Sequence, residues 1–205
     1  MDEAHLHNPS DPYLSDPDVV LMLEFQKGSA RSFEALLIKY YPRVLNFIAR
    51  FGIDPHTAED LTQEVFLKVY NYAPQYRPRA KFQTWLLTMV RNAALNAVRD
   101  QRKNAFSLDE GHETEEGAMG HQTAHPDQKN AREELIDREK AKAIQEAIHA
   151  LPENQRWAVL LKRYENMSYE EIAQTMNCSE KAVKSLLNRA KESLAVSLAK
   201  IDKKE

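Results

Sequence analysis

The chain has 205 residues, with 28 Lys and Arg against 31 Asp and Glu, a formal net charge of -3, 42% hydrophobic and 29% charged residues. It is long enough for a hydrophobic core in one domain or in each of two small ones. No apolar run approaches the roughly eighteen residues that cross a bilayer, so neither a membrane span nor a secretory signal is expected. The single cysteine, Cys178, has no internal partner for a disulfide, so a cytoplasmic, reducing setting is expected rather than secretion or membrane insertion.

In chain order, residues 1–16 read as a disordered tail. A helix is predicted from about Pro17 to Lys27 and another from about Ser32 to Phe51, where Leu36, Leu37, Tyr40, Tyr41, Val44, Leu45 and Ile48 recur at helical spacing as a buried stripe. Thr57-Ala-Glu-Asp60 reads as an N-cap with an acid three positions on, opening a helix to about Tyr72. On that helix Leu61, Val65 and Val69 share a core face, while Asp60, Gln63, Glu64 and Leu67 share another, with Phe66 and Tyr70 beside them. Carboxylates mixed with large apolar groups suit docking of a basic partner helix.

Charge is segregated. Arg77, Arg79, Lys81, Arg91, Arg99, Arg102 and Lys103 are opposed only by Asp100, and an acidic stretch with Asp109, Glu110, Glu113, Glu115, Glu116 and Asp127 follows. A basic block beside an acidic one points to a local polyanion-binding surface despite the negative total. Within the basic block a helix is predicted from Phe82 to about Gln101. Phe82, Leu86, Met89, Ala93 and Ala97 form its inward stripe; Trp85, Thr88, Asn92, Asn96 and Arg99 fall on another face, with Thr84 and Arg91 close by. A ring on which a base can stack, amides for base edges and cations for phosphates are what a single strand of DNA needs.

Residues 106–130 are polar, with no helical or strand periodicity, and read as a flexible acidic linker between two all-α domains, 17–105 and 131–200. A tether of about 25 residues spans roughly 25–30 Å on average and stretches to roughly 80 Å, enough for about two turns of DNA. Beyond it, Leu151-Pro152 separates two helices and Trp157, Leu160, Leu161 and Tyr164 mark a buried stripe. Ser168-Tyr-Glu-Glu171 is a capping box for a short helix, Asn177 suits a left-handed turn, and Ser179 suits the cap of the next helix. That helix turns Val183, Leu186, Leu187, Ala190 and Leu194 inward and Lys181, Lys184, Ser185, Asn188 and Lys191 outward. A short helix, a three-residue turn and a basic second helix make a helix-turn-helix, whose second helix fits the major groove.

From about Asp18 to Leu198 the chain resembles the extracytoplasmic-function (ECF) sigma factors of bacterial RNA polymerase. Asp60-Leu-Thr-Gln-Glu-Val-Phe-Leu-Lys-Val-Tyr70 is similar to their polymerase-binding helix. Phe82-Gln-Thr-Trp-Leu86 through Arg91-Asn92 is similar to their minus-ten segment, and Leu151-Pro through Arg189-Ala-Lys191 to their minus-thirty-five reader. The resemblance implies a transcription initiation factor without catalytic activity or cofactor, whose partners are the polymerase core, promoter DNA as duplex and melted strand, and an anti-sigma factor. It implies core binding through Asp60, Gln63, Glu64, Phe66, Leu67 and Tyr70. Minus-ten DNA would meet Arg77, Arg79, Lys81, Phe82, Thr84, Trp85, Thr88, Arg91, Asn92, Asn96 and Arg99. Minus-thirty-five DNA would meet Ser179, Glu180, Lys181, Lys184, Ser185, Asn188, Arg189 and Lys191. Asn166 and Asn177 replace glycines usual in the family, and Asn96 stands where an acid is common; asparagine tolerates positive φ.

Two other readings compete. A helix-turn-helix regulator with an effector-sensing N-terminal half leaves the Trp85 and Asp60 faces without a role. A di-iron enzyme needs two Glu-x-x-His units, and only Glu146 and His149 supply one. The linker histidines His112, His121 and His125 are too irregularly spaced for a metal site, so none is expected, and Cys178 reads as a small turn residue.

Overall fold

The computed structural model describes residues 12–107 and 131–199, with side chains placed for 12–100 and 138–199. Most of the expected linker, 108–130, with its acidic residues and histidines, lies outside the described residues. Those described form two helical regions with no strand among them.

The first region holds α1 (Pro17–Gln26), α2 (Ala30–Phe51), α3 (Pro55–Tyr72) and α4 (Phe82–Ser107). Residues 12–16, assigned to the tail from composition, are instead built into it. Pro12–Ser15 form a 3-10 turn, and Asp16 caps two helices. One of its carboxylate oxygens accepts from Asp18 N at 3.0 Å and the other from Phe82 N at 2.9 Å, which supplies otherwise orphaned donors at the starts of α1 and α4. Asp18, only 6% exposed, accepts from Tyr40 Oη at 2.6 Å and from Lys39 Nζ, tying α1 to α2. Burial, with Asp18 beside it, pushes the Tyr40 phenol well up.

α3 starts earlier than its apparent capping box. The cap is Asp54, which accepts from Thr57 N at 3.0 Å, with Pro55 in the first turn; Thr57 and Asp60 are both inside the helix. Gly52 ends α2 with φ +100°, a conformation that side-chain-bearing residues strain to adopt. Val19, Met22, Leu36, Ile48, Val65, Val69 and Leu86 fill the core.

The second region holds α5 (Ala131–His149), α6 (Glu153–Arg163), α7 (Tyr169–Met176) and α8 (Glu180–Ala199). Its local chemistry follows the sequence closely. Ser168 and Glu171 make both halves of the capping box, Asn166 and Asn177 have φ of 54° and 51°, and Ser179 Oγ accepts from Ala182 N at 3.2 Å. Tyr164 departs from the expected buried stripe: it is 40% exposed, with the Arg50 guanidinium over its ring at 4.3 Å.

The two regions also pack on each other, α2 against α6 and α4 against α7. Trp157, fully buried, lies 4.4 Å from the Phe51 ring and 5.4 Å from Phe47. Arg156 donates to the Phe51 carbonyl at 2.8 Å and to the His149 carbonyl, and its guanidinium passes 3.5 Å from where a Cβ on Gly52 would stand.

Candidate nucleic-acid and protein interfaces

α3 presents a mixed face. The 3.6-residue period carries Asp60, Gln63, Glu64, Leu67 and Tyr70 to the surface while Leu61, Val65 and Val69 go inward. Leu67 is 63% and Tyr70 53% exposed, so two large apolar groups stand in solvent beside carboxylates on one face. Asp60 pairs with His56 at 3.1 Å and Glu64 with Lys68 at 2.5 Å, all four side chains open to solvent. The Tyr70 ring rests on Phe25 and Phe33, 5.2 and 5.4 Å away, so α1 and α2 hold it in place. Phe66 does not belong to this face. It is 4% exposed and packs against Tyr41, because its position falls on the inward side of the helix.

α4 and the loop before it carry the first basic surface. Arg77, Arg79, Lys81, Asn92, Asn96 and Arg99 are exposed, and Thr88 and Arg91 half-buried. Trp85 is half-buried in a nest of rings, 4.9 Å from Tyr76, 5.6 Å from Phe82 and 5.8 Å from Tyr72. Two residues expected to touch DNA are core residues here. Phe82 is fully buried against Tyr40 and Thr84 is 2% exposed; Phe82 has the inward spacing of Leu86, and the Thr84 carbonyl accepts from Thr88 Oγ1. Burial pulls the Arg91 guanidinium below its ordinary value, with Glu153 acting against it.

α8 carries the second. Ser179, Glu180, Lys181, Lys184, Asn188, Arg189 and Lys191 are exposed and Ser185 half-buried, while Val183 and Ala190 are buried beneath them. The α7 cap and the left-handed Asn177 set the angle at which α8 leaves the turn. Arg189 Nη2 donates to Ser185 Oγ at 2.9 Å, and Lys184 stands over the Tyr169 ring at 5.8 Å. Glu146 pairs with Lys142 at 3.9 Å and His149 Nε2 meets the Arg50 carbonyl at 3.1 Å; among the described residues no group of three or more His, Cys, Asp and Glu side chains converges to hold a metal, and no described helix is long and apolar enough to cross a membrane.

Sequence reasoning missed the residues that join the regions: Arg43, Gln83 and Glu165. Their partners are 82 to 122 positions away in the chain, so no local pattern in the sequence marks them out.

Comparison with known proteins places these surfaces in a family. Residues 36–104 match the model for sigma-70 region 2 and residues 141–194 that for sigma-70 region 4. The chain is 32% identical to the RNA polymerase sigma-H factor of Pseudomonas aeruginosa, over 87% of its length and 92% of that protein. It is 30% identical to the ECF RNA polymerase sigma-E factor of Escherichia coli K12, over 86% and 92%. In fold it is similar to the sigma factor RpoE solved with the anti-sigma factor NepR from Bartonella quintana (TM-score 0.67, 21% identity, 83% of this chain and 98% of that one). It is also similar to CnrH solved with the cytosolic domain of CnrY (TM-score 0.64, 19% identity, 89% and 97%). The α3, α4 and α8 surfaces thus lie in segments matched to regions 2 and 4 of a transcription-initiation family, in the order that family has them, and the chain belongs to the extracytoplasmic-function sigma factors.

Proposed function

We propose that the chain binds the polymerase core through Asp60, Gln63, Glu64, Leu67 and Tyr70 of α3, and reads two promoter elements with separate helices. The unit boundaries proposed are 17–105 for core binding and minus-ten melting and 131–200 for minus-thirty-five recognition. The observation that carries this reading is the separation of character between surfaces: acidic and apolar on α3, cationic on α4 and α8.

Each surface has chemistry for its role. α8 would enter the major groove with Ser179, Glu180 and Ser185 near base edges, while Lys181, Lys184, Arg189 and Lys191 neutralise phosphates and Asn188 hydrogen-bonds to either. On α4, Arg77, Arg79, Lys81, Arg91 and Arg99 would hold the backbone, and Trp85, Thr88, Asn92 and Asn96 would meet unstacked bases. Unstacking costs a few kcal/mol, which a ring already nested among Tyr72, Tyr76 and Phe82 offsets. Phe82 and Thr84 act from beneath, by fixing Trp85. Phosphodiester chemistry belongs to the polymerase, and the chain has no catalytic step of its own. By likeness to RpoE, which was solved with NepR, an anti-sigma factor would hold this chain inactive, and a stress or envelope response is the natural setting.

Run-off transcription with purified core polymerase on a panel of promoters tests the proposal. Transcripts that depend on the chain are expected. Absence of both stimulation and core binding would sink it.

A further inference from the structure

α1 is short, and a side chain at each of its ends serves another element. At its start the two carboxylate oxygens of Asp16 serve two helices. Oδ1 accepts from Asp18 N at 3.0 Å, and Oδ2 accepts from Phe82 N, at the first residue of α4, at 2.9 Å. At its end Gln26 Nε2 donates to the carbonyls of Ala73, Pro74 and Tyr76 at 2.8, 3.2 and 3.1 Å. The bonds to Phe82 and to Ala73 cross 66 and 47 positions of chain. α1 thus grips both ends of residues 73–82, which run from α3 to α4. The helix spans about 15 Å at 1.5 Å per residue, whereas residues 73–82 could extend to roughly 30 Å. The segment is therefore held well short of its reach, with Arg77, Arg79 and Lys81 exposed along it.

The two grips fall beside the rings that seat Trp85. Tyr76, 1% exposed, follows the turn held by Gln26, and Phe82, fully buried, carries the N–H held by Asp16. Their rings lie 4.9 and 5.6 Å from that of Trp85. Trp85 N donates to the Lys81 carbonyl at 3.1 Å, so the tryptophan closes the first turn of α4. Lys81, the residue before α4, has no side-chain acceptor with which to cap it, and Asp16 supplies one from the start of α1. Only a carboxylate can serve both N–H groups at once, because an amide in its place turns a donor toward one of them. Three carbonyls around one atom likewise call for a donor, which an apolar side chain at position 26 would lack.

We propose that Asp16 and Gln26 are positioning residues for minus-ten melting: they brace residues 73–82 from the two ends of α1 and thereby fix Tyr76 and Phe82 around Trp85. The melting role rests on the function proposed for α4; the brace does not.

Promoter opening by the complete holoenzyme, read as permanganate reactivity of unpaired thymines, tests the role on duplex and on premelted templates. Asp16→Asn keeps the cap on Asp18 N and loses the bond to Phe82 N. It should slow opening of the duplex by about tenfold, since a small misplacement of a positioned group is costly, with initial promoter binding within about twofold of wild type. Gln26→Leu should slow opening similarly. Gln26→Lys, whose ammonium can donate to the same three carbonyls, should restore the rate. On the premelted template, where no bases remain to be unstacked, every variant should transcribe within about twofold of wild type. In the free chain, Trp157→Phe leaves Trp85 as the one tryptophan. Adding Asp16→Asn should raise its quenching by acrylamide roughly twofold as the first turn of α4 frays. Duplex opening at the wild-type rate by Asp16→Asn and Gln26→Leu would overturn the positioning role. Equal loss on duplex and premelted templates would overturn it too, as the mark of a damaged fold, and unchanged quenching would overturn the brace. A wild-type holoenzyme that opens no promoter would instead refute the function proposed for α4, and quenching would still decide the brace.

Discussion

The α3 face and the two helices proposed to face DNA are presented differently. On α3, Leu67 and Tyr70 stand 63% and 53% exposed beside carboxylates paired only with neighbours on their own helix. Arg91 on α4 and Ser185 on α8 are half-buried, and both helices border the same groove. The proposed protein-docking face is open to solvent, whereas the two proposed DNA-reading helices share a groove.

The comparison can be broken from its apolar side. Trp157→Ala removes a fully buried indole from between Phe47 and Phe51 and should cost about 3–5 kcal/mol in urea unfolding. The helix-turn-helix region should lose most, with α3 retaining its helicity. It is sharpened from the DNA side by Lys184→Ala with Arg189→Ala. Two lost phosphate contacts should lower the slope of log K against log salt by about 1.8, with thermal stability unchanged because both side chains are exposed. Ser168→Ala deletes one half of the α7 capping box and should cost about 1 kcal/mol, tilting α8 without touching α3.

The smallest effect expected is on pH dependence. The bond from Thr57 holds the Asp54 carboxyl below its ordinary value, so the cap stabilises the fold above the unfolded-state value and is lost as pH falls through the lower folded-state one. Asp54→Asn should flatten that part of the acid unfolding profile and leave the α8 surface unaffected.

How much of this was legible in the sequence depended on the range of the interaction. Ser168 with Glu171, Asn166, Asn177 and Ser179 act within three or four residues, so their roles could be read from spacing. The start of α3 could have been read too: Asp54-Pro55 is a stronger signal than Thr57-Ala-Glu-Asp60, since proline fits the first helical turn and aspartate the cap. Phe66, Phe82 and Thr84, expected at contact surfaces, are buried in the structure, and Phe82 already carries the inward spacing of Leu86. The joint through Arg43, Gln83 and Glu165 was out of reach, because nothing local distinguishes a glutamate that will be buried by a helix 122 positions away.

The division of labour between regions is tested most directly by measuring core-polymerase binding for two variants side by side, Asp60→Lys with Glu64→Lys on α3 and Lys184→Ala with Arg189→Ala on α8. The first should lose binding by about a hundredfold or more, through charge reversal at an acidic docking face, while the second binds core as wild type does. Equal binding by both variants, whether retained or lost, would contradict the assignment of the polymerase to α3 and of DNA to α8.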